Sequence, residues 1–200
     1  MKATADGLMP EVLLLEPRVF HDARGSFQEL YHAERYADVG LRSPFVQDNV
    51  SRSARGVLRG LHLQHPRGQG KLVTVLEGAV FDVAVDVRRG SPTFGRWTGY
   101  TLTAGNAQQL WIPPGFAHGF LALEERSLVW YKCTAVYSAA DELTVRWDDP
   151  DVGVRWPGAA PILSEKDAAA PGLAELAELA DRLPAYDDSA AAATAHVPRA

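Results

Sequence analysis

Four side chains in this sequence could move protons or steady charge without help from a metal or a thiolate. The run Gly56-Val-Leu-Arg-Gly-Leu-His62-Leu-Gln64 sets a titratable imidazole among apolar neighbours. A hydrogen-bonded core histidine would give the same pattern, so His62 alone does not define a site. Tyr131, in Val129-Trp-Tyr-Lys-Cys133, shares a strand face with Val129 and Cys133, which turns its ring inward. A barrel-filling aromatic with a bonded hydroxyl is the plainer alternative. Lys71 closes the turn Gly68-Gln-Gly-Lys and opens an apolar strand, so its ammonium could point inside. Asp167 follows Ser164, a helix-capping residue type, in Ser164-Glu-Lys-Asp167.

Charge is distributed unevenly. The chain carries 25 acids against 20 bases, a formal net charge of −5, which argues against nucleic acid as a partner. Yet Ser51 to Val75 holds Arg52, Arg55, Arg59, Arg67 and Lys71 with no acid. A solvated basic face is one reading. An anion site, suited to a phosphorylated ligand, is the sharper one.

The elements that must position these groups read as strands. Phe81, Val83, Val85 and Val87 alternate with Asp82, Ala84, Asp86 and Arg88, the period of a half-buried strand. Short apolar runs recur at Leu72–Val75, Trp97–Leu102, Gln109–Ile112, Phe120–Leu123 and Leu128–Tyr137, with turn residues between them. Repeated short strands without intervening helices predict an all-β antiparallel sandwich or barrel. A short helix is expected around His32–Val39. Leu173, Leu176, Leu179 and Leu183 recur at helical spacing and predict an amphipathic helix on the barrel wall, ending at Pro184. One domain over 1–184, with its barrel at about 45–148, and a mobile Ala-rich tail over 185–200 follow from this division.

Composition narrows the chemistry. Cys133 is the single cysteine, so neither a disulfide framework nor a thiolate zinc cluster is available. No apolar run approaches the roughly 20 residues that cross a bilayer. The amino-terminal residues lack an apolar signal core, so the expected address is cytoplasmic, with no membrane partner. Pro113-Pro-Gly-Phe-Ala-His118 resembles the second motif of cupin barrels, but His62 and His65 would point to opposite strand faces. A catalytic metal needs about three converging ligands, so no metal is expected.

Seven motifs together carry a resemblance. The block Gln47-Asp-Asn-Val-Ser-Arg-Ser-Ala-Arg-Gly-Val-Leu-Arg-Gly-Leu-His-Leu-Gln64 resembles the hallmark segment of the dTDP-4-dehydrorhamnose 3,5-epimerases. So do Gly70-Lys-Leu-Val73, Phe81-Asp-Val-Ala-Val-Asp86, Ile112-Pro-Pro-Gly-Phe-Ala-His-Gly-Phe120 and Tyr131-Lys-Cys-Thr134. Trp147-Asp-Asp-Pro150 and Leu163-Ser-Glu-Lys-Asp167 complete the series, in order over about residues 10–175.

The resemblance implies an antiparallel cupin jelly roll (a double-stranded β-helix) with short flanking helices. It implies a homodimer acting on a dTDP-linked 4-keto-6-deoxyhexose, with no cofactor. By the same resemblance His62 is the general base, Asp167 its orienting carboxylate, Tyr131 the acid on the opposite face and Lys71 the cation near the enolate oxygen. Arg59 matches a diphosphate ligand beside Gln47, Asp48 and Asn49. Arg24, Phe27 and Glu29 match a segment that binds nucleotide across the dimer interface. His118, Tyr137, Glu142 and Lys166 match further pocket positions. One conflict stands: strict alternation puts Arg59 and His62 on opposite faces, so both reach one pocket only through a bulge at Gly60.

Rival readings stay open on the sequence. An epimerase inverting one carbon, in an antibiotic-sugar pathway, could keep the same His, Tyr and Asp. A silent sugar-nucleotide binder would be favoured by loss of His62 or Tyr131, and neither is lost. A metal-dependent cupin oxygenase is the remaining alternative.

Overall fold

The computed structural model describes residues 1–158, 160–179 and 182–187. Its core is two facing antiparallel sheets. One contains β1 (Lys2–Ala5), β2 (Leu13–Glu16), β5 (Gln47–Ser53), β7 (Lys71–Glu77), β10 (Gln109–Ile112) and β12 (Ser127–Cys133), in the order β1-β2-β10-β7-β12-β5. The other contains β6 (Leu58–Gln64), β8 (Ala79–Asp86), β9 (Trp97–Thr103), β11 (Phe116–Ala122) and β13 (Glu142–Thr144), in the order β13-β6-β11-β8-β9. Strands that neighbour in space alternate between distant parts of the chain, the winding of a jelly roll. A separate hairpin joins β3 (Val19–Asp22) to β4 (Gly25–Gln28). The expected all-β cupin-like fold is what forms.

Between the sheets lie Val73, Val75 and Val129 from one wall and Val80, Ala84, Phe116 and Phe120 from the other. A second cluster fills the outer face of the five-stranded sheet, where Val83, Val85 and Val87 meet Leu173, Leu176 and Leu183. Strand β8 is therefore buried on both faces and is not half-buried, as its alternation suggested. Phe81, Val83 and Val85 point to the outer layer, whereas Val80, Ala84 and the aspartates, Asp82 and Asp86, point inward, the aspartates with no solvent exposure. Asp86 is neutralised there by Arg88 at 2.7 Å, which also meets Glu11 at 2.9 Å.

The helices are short. Helix α1 (Ala33–Asp38) lies where expected, and α2 (Glu165–Ala168) starts at Ser164, whose side chain accepts from the Asp167 N–H. Helix α3 spans Leu173–Glu178, so the leucine stripe outruns its helix. Leu173 and Leu176 are buried, whereas Leu179 is 53% exposed. Strand β12 likewise stops at Cys133, short of Tyr137. Ala185 pairs with Arg89, so packed chain continues past residue 184; 188–200 lie outside the described residues. No helix among the described residues is long and apolar enough to cross a membrane.

Candidate active site

A bulge sets the geometry. Across β6 and β11, His62 faces His118 and Arg59 faces Phe120, so three steps along β6 match two along β11. The extra residue rotates the strand by one face, and Arg59 and His62 both line one cavity of about 400 Å³. Two glycines permit it. Gly60 has φ +134°, and a Cβ there would sit 2.5 Å from the Cα of Gly119. The conflict over these two faces is resolved as the glycine required.

His62 is half-buried at the cavity wall, and its Nε2 lies 2.6 Å from Asp167 Oδ1. A carboxylate only accepts, so Nε2 holds the ring proton and Nδ1 keeps the basic lone pair. Burial pushes the Asp167 carboxyl up. The His62 contact, the Gly60 N–H and Ser164 outweigh burial and hold it below the usual carboxylate range. Asp167 thus stays anionic, ready to stabilise an imidazolium.

Tyr131 comes from the other sheet. It lines the same cavity from β12, opposite the β6 wall that carries His62. Burial raises its hydroxyl pKa, with Cys133 adding to the rise and Arg59 opposing it. The phenol therefore holds its proton at neutral pH and can donate. Lys71 begins β7 beside it, buried, with Nζ donating to the His62 carbonyl at 3.2 Å. Burial pulls its pKa down against the pull of Cys133, Asp82 and Glu142. His118 lies inside as well, with Nε2 3.0 Å from both oxygens of Asp82.

The cavity continues into a second lobe of about 260 Å³ that shares His62, Lys71 and Tyr131. Gln47, Asn49, Tyr137 and Glu142 line this lobe. Glu142 accepts from Tyr137 at 2.9 Å and from Lys166 at 2.7 Å, a polar chain at the mouth. Arg59 is exposed at the other mouth and held by Ser53 Oγ at 3.1 Å.

Four expected positions fall outside both lobes. Asp48 alternates to the other face of β5 and accepts from Lys132 at 2.7 Å, away from both lobes. Arg24 and Phe27 sit on the β3–β4 hairpin, where Arg24 pairs with Asp22 and Phe27 is 68% exposed. Glu29 binds Arg35 at 2.7 Å. The sequence reading missed Asp82 and Ser51. Ser51 lines the cavity, and its buried Oγ has no partner among the described residues. Alternation hid Asp82, because Asp82, Ala84, Asp86 and Arg88 read as the polar face of a half-buried strand. Among the described residues no three His, Cys, Asp or Glu side chains converge as a metal site.

The family model for dTDP-4-dehydrorhamnose 3,5-epimerase matches residues 7–175. This chain belongs to that family. It is 54% identical over 169 residues to the dTDP-4-dehydrorhamnose 3,5-epimerase of Pseudomonas aeruginosa, covering 84% of this chain and 93% of the relative. The enzyme of that name from Neisseria gonorrhoeae is 50% identical over 180 residues. There the match covers 90% of this chain and 55% of the relative, so the chain spans about half of that longer protein. Among solved structures, the dTDP-6-deoxy-D-glucose-3,5-epimerase of Legionella pneumophila, in complex with dTDP-4-keto-L-rhamnose, superposes with a TM-score of 0.88. It is 48% identical and covers 93% of this chain and 98% of its own. A 3′-monoepimerase from Streptomyces bikiniensis, in complex with dTDP-quinovose, has a TM-score of 0.87. It is 35% identical and covers 96% of this chain and 99% of its own.

Proposed function

We propose that this epimerase-family chain inverts C3 and C5 of dTDP-4-keto-6-deoxy-D-glucose, giving dTDP-4-dehydro-L-rhamnose by proton transfer without a cofactor. The observation that carries the reading is one cavity with a base and an acid on facing walls: His62 on β6 and Tyr131 on β12. Inversion at carbon needs that arrangement, because the proton must leave one face of a planar intermediate and return to the other.

His62 Nδ1 takes the proton from the carbon beside the C4 ketone. The C–H electrons form the C=C bond of an enolate, and the carbonyl electrons move to oxygen. Lys71 is the cation suited to that oxygen, a charge contact that strengthens as the enolate forms. Tyr131 gives its proton to the opposite face, and solvent returns both side chains to their starting states. C3 and C5 both flank C4, so one base and one acid serve both if the sugar reseats. Arg59 would hold the diphosphate, with Gln47, Asn49, His118, Tyr137, Glu142 and Lys166 around the remainder.

The same reading makes the enzyme a homodimer. The exposed Phe27, with Arg24 and Phe20 on a hairpin outside both sheets, supports this, since a segment serving a partner's pocket would stand clear of its own. Glu29 follows that hairpin. We assign it to the cytoplasm, where its free, buried Cys133 would stay reduced.

Single inversion is the rival. The 54% and 48% identity to the Pseudomonas and Legionella 3,5-epimerases, against 35% to the monoepimerase, favours double inversion. Incubation with dTDP-4-keto-6-deoxy-D-glucose in deuterated water tests it. Deuterium at both C3 and C5 of the L-rhamno product is expected; label at a single carbon would replace this reading with the rival.

A further inference from the structure

We propose that Asp82 is a positioning residue for this reaction: its carboxylate fixes the His118 tautomer and serves as the internal counter-charge to Lys71. The proposal rests on the epimerase reading for its catalytic meaning, but its physical content stands on the geometry of the interior.

Asp82 is fully buried on the inward face of β8, between Val80 and Ala84, both core residues. An isolated carboxylate there would be heavily disfavoured unless its charge met a partner. Its hydrogen-bond partner is His118, whose Nε2 is equidistant from both oxygens at 3.0 Å. A carboxylate can only accept, so the ring must carry its proton on Nε2. Nδ1, without a partner among the described residues, is left as an acceptor. Burial pulls the His118 pKa down, with Asp82 resisting and Lys71 and His62 adding to the fall. The imidazole is therefore neutral at pH 7 and offers a lone pair suited to a sugar hydroxyl.

That neutrality leaves the Asp82 charge for Lys71. The titratable groups acting on Lys71 come from four strands: Asp82 on β8, His118 on β11, Cys133 on β12 and Glu142 on β13. His62 on β6 takes the Lys71 hydrogen bond through its carbonyl. Cys133 is a thiol whose own pKa burial has raised, so it is uncharged at neutral pH. Glu142 spends its charge on Lys166 at 2.7 Å. Of the acidic groups acting on Lys71, Asp82 is thus the one not matched by another cation. A base-catalysed step at this ketone needs a charged Lys71, and Asp82 favours that charge from behind the residues that line the two lobes.

The test separates charge from shape. Asp82→Asn preserves size and an accepting oxygen for His118 while removing the charge. The Lys71 Nζ titration, followed by ¹⁵N NMR in the free enzyme, is expected to fall by about one pH unit. The alkaline limb of kcat should fall with it, while dTDP binding stays within about twofold of wild type. A folded variant in which neither titration nor limb moves would overturn the proposal and leave Asp82 a structural residue. Should the variant fail to fold, ¹⁵N shifts of His118 in the wild-type enzyme decide instead. A proton on Nε2 and a bare Nδ1 at pH 7 support the proposal; the opposite tautomer or a doubly protonated ring overturns it. Both NMR readouts need no substrate, so they hold even if the epimerase reading itself fails.

Discussion

Asp167 and His62 lie 105 residues apart, yet their side chains meet at 2.6 Å. Helix α2 carries the carboxylate to β6, where it lines the cavity beside His62 and the capping hydroxyl of Ser164 fixes the first turn. The pair therefore depends on the chain returning to the barrel after its last strand. Asp167→Asn should expose that dependence, because it removes the charge that stabilises an imidazolium, and an amide, which can donate as well as accept, no longer holds the ring proton on Nε2. By analogy with the same swap in a Ser-His-Asp triad, kcat should fall by about 10⁴-fold. Steady-state rates with dTDP binding measured alongside check it; a loss below threefold would mean the ring is held by something else.

His62 and Arg59 share a pocket only because of the glycine pair at the bulge. Gly60→Ala places a side chain at a φ that costs about 1–3 kcal/mol, apart from its clash with Gly119. Gly56→Ala is the control: its φ is +83° with no atom within 4 Å of the added carbon. Thermal unfolding should show both variants destabilised. Only Gly60→Ala should also lose kcat, and equal retention of activity would separate the bulge from catalysis.

The pH profile has a signed expectation. Burial lowers the Lys71 pKa below that of an ordinary lysine, and burial raises Tyr131 above an ordinary tyrosine. The two shifts run in opposite directions, Lys71 toward earlier and Tyr131 toward later deprotonation as pH climbs. The alkaline limb of kcat should therefore lie below pH 10.5, the ordinary lysine value, and belong to Lys71. In Lys71→Arg the residual activity should lose that limb, since guanidinium does not titrate in this range. A limb unchanged in the variant would assign it elsewhere.

Assembly gives a complementation test. If the β3–β4 hairpin serves a partner's pocket, Phe27→Ala and His62→Asn homodimers should each be impaired. Mixed dimers of the two should regain activity, since one pocket per dimer then has both its own His62 and a partner's Phe27. Light scattering should report a dimer at micromolar concentration. A fully active monomer would contradict the arrangement.

Much of this was legible before any coordinates. The inward side of Tyr131 followed from its register with Val129 and Cys133, and the need for a bulge followed from the parity of residues 59 and 62. Parity failed where a sheet has two covered faces. On β8 both registers are buried, so alternation could not tell which side held the core between the sheets. That is why Asp82 was passed over. Leu179 misled for another reason: helical spacing persists in the sequence after α3 ends at Glu178, leaving its side chain exposed. Asp48 shows the limit of motif reading, since it adjoins Gln47 and Asn49 in sequence but alternation turns it to Lys132.

The central claim is that proton removal and proton return belong to different walls of one cavity. Tyr131→Phe tests it most directly, in deuterated water with dTDP-4-keto-6-deoxy-D-glucose, reading label and configuration by mass and NMR. With His62 intact, abstraction continues, and the enolate is reprotonated from the side it came from. The account predicts deuterium in recovered starting material and little inverted sugar. A normal yield of inverted product would contradict it and move the acid to another group.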